Sequence, residues 1–167
     1  EPPGAWPWAM LSYYKDPTVM TCPADRFPLV SGFLDPTNKL MFRRSFVINA
    51  FNDWFRGSLA DEEYQQYRKW LWPVGMRRAA VLLPSDTILF GEKRTGSSHV
   101  HIDFDQGAGN DVQEIAQNRH ASNEGTRAGG SNFAFVDGSI EVIGVVGKYA
   151  GRERSHLRAE PIYFPWR

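Results

Sequence analysis

The stretch Asn132-Phe133-Ala134-Phe135-Val136-Asp137-Gly138-Ser139-Ile140-Glu141-Val142-Ile143 decides the fold. Aromatic and β-branched residues stand on both sides of Asp137-Gly138. At that dipeptide the backbone takes positive φ at little cost, because glycine has no Cβ and aspartate tolerates the same region. The reading is a β-hairpin over residues 132–136 and 140–143. Working outward, residues 44–50 (Arg-Ser-Phe-Val-Ile-Asn-Ala) have strand composition. Thr87-Ile88-Leu89-Phe90, after the Pro84-Ser85-Asp86 punctuation, is a short apolar run of the kind that becomes a buried strand. Residues 100–104 alternate Val100, Ile102 and Phe104 with His101 and Asp103, a strand with one wet face.

The helical signals are fewer. Ser58-Leu59-Ala60-Asp61 places a capping hydroxyl and acidic residues ahead of residues 62–71, with Arg68 and Lys69 near the end as the helix dipole favours and Pro73 as the stop. Leu59, Tyr67, Trp70 and Leu71 would form its inward face. Trp6, Trp8, Met10, Leu11, Tyr13 and Tyr14 suit a short aromatic helix that ends near Asp16-Pro17. Residues 18–38 carry Pro23, Pro28 and Pro36 and read as an ordered loop, not a sheet interior. No repeat, linker or low-complexity run divides the chain. The expectation is one α+β domain over residues 1–167 with a mainly antiparallel sheet and short helices.

Composition narrows the function classes. Lys plus Arg number 19 and Asp plus Glu number 19, a formal net charge of +0 in 167 residues. That balance leaves no broad basic footprint for nucleic acid or anionic lipid, and it suits a subunit that sits beside copies of itself. Cys22 is the lone cysteine, so an internal disulfide is impossible, and the residue reads as a small buried hydrophobe. No stretch reaches the roughly twenty apolar residues of a membrane span, so no membrane contact is expected of these residues.

Several landmarks in order resemble one family. They are residues 16–25 (Asp-Pro-Thr-Val-Met-Thr-Cys-Pro-Ala-Asp), Arg44-Ser45-Phe46-Val47-Ile48-Asn49, Thr87-Ile88-Leu89-Phe90-Gly91-Glu92-Lys93, and Arg119-His120 followed by residues 130–139. From about residue 6 to residue 143 this order is similar to the type IV pilin-like and pseudopilin-like proteins with a processing-associated His-x9-Asp-Gly region. Residues 144–167 are a tail beyond it. Sixteen residues separate His120 from Asp137, so residues 121–129 read as a loop insertion relative to that pattern. The resemblance implies a pilin-like globular head and a structural subunit of a pilus-like filament or type II secretion-like pseudopilus, extracellular or at the cell surface. It implies no enzymatic activity. Its partners would be other copies of itself and a separate subunit supplying the N-terminal hydrophobic helix these residues lack, unless that helix belongs to the same chain.

Two site readings accompany it. Asp103, Asp105 and Asp111 space oxygen donors along a glycine-containing loop, as calcium requires, and the resemblance to calcium-stabilised pseudopilin loops points the same way. Without a terminal glutamate the segment is not an EF-hand. His99 and His101 share a strand face and, with His120, suggest zinc. The competing functions are an extracellular carbohydrate-binding or ligand-binding module, with exposed Trp residues near the Asp103 loop, and a metal-dependent hydrolase using His99, His101, His120 and Asp137. Asp137-Gly138 is better explained by its turn, and Arg119 and His120 as hydrogen-bonding groups that fix how the hairpin meets the rest. No Gly-x-Ser-x-Gly elbow or P-loop occurs.

Overall fold

A computed structural model describes residues 6–31, 42–69, 74–102, 114–116, 118–120 and 129–144. Their centre is a five-stranded sheet in the order β5-β3-β4-β6-β7. Its strands are β3 (Phe46–Asn49), β4 (Ile88–Glu92), β5 (His101–Ile102), β6 (Gly130–Phe135) and β7 (Ile140–Gly144). All neighbours are antiparallel except β3 and β5, which run parallel. The described residues therefore form the expected α+β arrangement.

The hairpin is where the sequence placed it. β6 and β7 pair from Gly130↔Gly144 to Ala134↔Ile140. Gly138 closes the turn at φ 98°, and Asp137 Oδ1 accepts the Ser139 N–H at 2.8 Å and its hydroxyl at 2.7 Å. Those two bonds hold the Asp137 carboxyl below its ordinary range. At the other end a Cβ on Gly130 would lie 2.6 Å from Val142 and 2.7 Å from the Ile143 carbonyl, so only glycine fits between the strands.

Alternation on the pleat sends Val47, Ile102, Phe133, Phe135 and Ile143 to one face, where they pack with Ile88 and Ile115 as the main core. Phe46, Ile48 and Phe90 lie on the other face and are half-buried. The aromatic N-terminal segment, α1 (Trp6–Ala9) and α2 (Leu11–Tyr14), reaches this second face. Trp6 meets Phe90 edge-on with ring centroids 5.1 Å apart, and its indole N–H donates to the Val100 carbonyl at 2.8 Å.

A second apolar cluster sits under two helices, α3 (Asn52–Ser58) and α4 (Asp61–Arg68). Phe51, Phe55 and Val81 are its buried centre, with Trp54, Leu59, Tyr64, Tyr67 and Leu89 packed around them. Tyr67 stacks on Phe55 at 4.3 Å and donates its hydroxyl to the Ala50 carbonyl at 3.1 Å.

The structure corrects four boundaries. Residues 18–38 were expected to be loop, but Leu29–Ser31 forms a strand, β1, paired antiparallel with β2 (Phe42–Arg44) in a separate two-stranded ribbon. Residues 44–50 are not one strand: Ser45 interrupts them, because its N–H bonds the Met20 carbonyl and its carbonyl takes the Lys93 N–H, each at 2.8 Å. Ser58 caps nothing. It ends α3, a helix that low propensity at Asn52, Asp53 and Gly57 conceals, while α4 begins after Ala60, whose N–H is held by Glu63 Oε2 at 3.0 Å. Of the expected inward face, Leu59 and Tyr67 pack as anticipated, and Trp70 and Leu71 lie outside the described residues. Of the strand expected over residues 100–104, His101–Ile102 forms β5, Val100 precedes it as a bend, and residues 103–104 lie outside the described residues.

Candidate functional site

Four separated stretches meet at the Glu92 end of β3 and β4: residues 22–25, Arg44-Ser45, residues 92–95, and Arg119-His120. Backbone bonds bring them there. The Asp25 N–H turns back to the Cys22 carbonyl at 2.9 Å, and Ser45 links Met20 to Lys93. The Arg119-His120 turn is clipped to the start of β6 by Arg119 N–H to Ser131 Oγ at 3.1 Å and His120 N–H to the Gly130 carbonyl at 2.9 Å.

The first half of the site is a buried ionic knot. Asp25 accepts from the Ser45 hydroxyl at 2.8 Å, from the Thr95 hydroxyl at 3.2 Å, and from Arg119 Nη1 at 3.0 Å. The Asp25 and Arg119 side chains are 0% and 4% exposed, so this pair is shielded from solvent screening. Arg119 also donates to the Lys93 carbonyl. Arg44 is buried and donates to the carbonyls of Phe46 at 2.8 Å and His99 at 2.7 Å. Lys93 is buried completely, and its Nζ lies 3.5 Å from the Arg94 carbonyl. Burial holds the Lys93 ammonium below its ordinary range, with Asp25 acting in the opposite direction.

The second half is a convergence on one atom. His120 Nε2 has Glu92 Oε1 at 2.9 Å, Asn132 Nδ2 at 2.8 Å and Cys22 Sγ at 3.8 Å. Glu92 is fully buried, and its other oxygen accepts the Asn132 N–H at 2.7 Å, just beyond the last β4–β6 residue pair. Burial first, and then the hydrogen bond to Glu92, push the Cys22 thiol up, so it stays protonated. A thiol hydrolase needs the nucleophile at one imidazole nitrogen and the orienting acid at the other. Here Cys22 and Glu92 face the same nitrogen, so the trio is not a nucleophilic relay.

The residues singled out from the sequence fare differently. Asp103, Asp105 and Asp111 lie outside the described residues. Among the described residues, the metal-ligating group whose donor atoms all lie within 4.8 Å of one another is Cys22, Glu92 and His120. His99, His101 and Asp137 are not in it, so the three-histidine zinc reading and the histidine–Asp137 hydrolase site are not assembled. Arg119 and His120 do join the hairpin to the rest of the domain, through backbone as well as side chain.

Sequence reasoning missed Glu92 and Lys93 as site residues and treated Cys22 as inert. A signal was present, since Gly91-Glu92-Lys93 puts two charges directly at the end of an apolar strand. Compared with known proteins, the chain matches no family model, no curated protein and no solved structure. No helix among the described residues is long and apolar enough to cross a membrane.

Proposed function

We propose that this chain is the globular head of a pilin-like or pseudopilin-like subunit, working by contact between subunits at the cell surface or in the periplasm. One observation carries the reading. Edge strand β7 presents Ile140 and Val142 at 71% and 61% exposure, on the second face of the sheet, beside the region that Trp6 covers. Large apolar side chains in adjacent outward positions on a sheet edge invite burial by a neighbour.

The test uses cells that make the full chain. An antibody to this chain should label surface or periplasmic filaments in wild-type cells. With Ile140→Asp and Val142→Asp together, the label should leave the filaments while the folded chain still accumulates. Filaments that never contain the chain, or that take up the double variant as readily as wild type, would sink the proposal.

A further inference from the structure

We propose that Cys22 Sγ, Glu92 Oε1 and His120 Nε2 form a binding site for one borderline-soft divalent cation of the zinc class, with its fourth ligand on the Asn132 side. The proposal stands apart from the subunit function and does not depend on it.

Geometry is the first support. Zinc bonds of about 2.3 Å to sulfur and about 2.0–2.2 Å to nitrogen and oxygen place tetrahedral donors roughly 3.3–3.6 Å apart. The observed separations of 2.9 Å (Glu92 to His120) and 3.8 Å (Cys22 to His120) fall on either side of that spacing. Side-chain shifts of about half an ångström would bring these two separations to that spacing, and the third pair, Cys22 and Glu92, has its donor atoms within 4.8 Å.

Valence is the second. Nε2 has a single in-plane position, holding either a proton or a lone pair. A Glu92 carboxylate needs the proton there, whereas the Asn132 amide N–H needs the lone pair, and both stand within 2.9 Å. Turning the Asn132 amide over relieves this conflict with the proton kept on Nε2, and a cation at the centre is compatible with the same flipped amide. With the cation bound, Nε2 turns its lone pair inward with the ring proton on Nδ1, and Asn132, with its amide turned over, offers Oδ1 where it had offered Nδ2.

Donor chemistry is the third, since one thiolate, one imidazole and one carboxylate suit zinc and cobalt better than calcium or magnesium. The surroundings fit as well. Cys22 and Glu92 are buried, while the His120 side chain is 37% exposed and gives the ion a path in. The Asn132 N–H steadies the second Glu92 oxygen, the outer-shell support that ligating carboxylates normally have.

On binding, the Cys22 S–H bond breaks and its proton goes to solvent, the sulfur electron pair forms the metal bond, and no redox change occurs. The ion would staple the residue 22 turn, strand β4 and the residue 120 turn, a cross-link that a chain with one cysteine cannot make as a disulfide.

The experiment is a titration of the metal-free full chain with Co²⁺. One equivalent should produce a saturable thiolate-to-cobalt absorption in the near ultraviolet and the intense visible bands of a tetrahedral site. Zn²⁺ should abolish both at one equivalent, and Ca²⁺ should leave them untouched. Cys22→Ser should lose the near-ultraviolet band, and Cys22→Ser and His120→Ala should each weaken binding by more than the roughly 10–100-fold that loss of an outer-shell partner costs. Absence of a one-to-one cobalt signal, or titration of Cys22→Ser indistinguishable from wild type, overturns the site. Should Cys22→Ser fail to fold, the wild-type thiol decides. One equivalent of Zn²⁺ must slow its reaction with a disulfide reagent, and an unchanged rate overturns the proposal.

Discussion

At the Ile88 end of β4, Phe51, Phe55 and Val81 are enclosed by Trp54, Leu59, Tyr64 and Tyr67, and the Tyr67 hydroxyl finds a backbone carbonyl. Four residues along the same strand, at Glu92, the buried groups are charged: Asp25 pairs with Arg119, Arg44 and Arg119 donate to backbone carbonyls, and Glu92 accepts the Asn132 N–H. Apolar packing depends on volume and tolerates substitutes of similar shape. A buried ionic knot depends on complete pairing, because each charge has left water and only its partners compensate it. The difference teaches that this domain has one forgiving end and one unforgiving end.

Near-isosteric substitutions should break the comparison if it is wrong. Asp25→Asn keeps the shape but leaves Arg119 buried without its counter-charge, an expected loss of about 3–5 kcal/mol. Phe55→Leu, equally conservative, should cost about 1–2 kcal/mol. Urea unfolding of both variants measures the two, and a milder effect for Asp25→Asn than for Phe55→Leu would show the knot to be ornamental.

Lys93 sharpens the comparison at alkaline pH. Its folded-state value lies below the unfolded value of 10.5, chiefly through burial. Between the two values the unfolded chain binds more protons, so Lys93 makes stability rise with pH in that window. Lys93→Met should remove this rise, so that any stability advantage of the variant near pH 7 shrinks as pH approaches 10.5. A constant difference across urea midpoints from neutral to alkaline pH would contradict it.

The smallest effect is expected at the hairpin tip, which belongs to neither end. The exposed Asp137 has a folded-state value below 3.8, caused first by its bonds to Ser139. Its contribution is present above the unfolded value and is lost as pH falls through the folded one. Asp137→Ala should therefore lower the thermal midpoint slightly at pH 7 and match wild type in strong acid. A difference that persists in strong acid would assign the effect to backbone propensity instead.

Several parts of this architecture were legible beforehand because they rest on local rules. The β6–β7 hairpin follows from Asp137-Gly138 between alternating residues, and the class follows from strands that outnumber helices. α3 was not legible: it begins after Phe51, a non-glycine residue at φ 52° that is held by the Asn49 side chain accepting its N–H at 2.9 Å. That tertiary support overrides the propensities of Asn52 and Gly57. The Cys22, Glu92 and His120 cluster was equally hidden, since its members are separated by 98 and 28 positions and each looks ordinary in its own stretch.

The amino-acid sequence by itself determined a neutral, single-cysteine chain with an antiparallel hairpin and short helices, because charge count, thiol count and turn preference need no distant partner. Only the tertiary structure decided which charges would be buried together and which ring nitrogen would face a thiol and a carboxylate. Such pairings arise when strands bring remote residues within hydrogen-bond reach, and no local pattern encodes that distance.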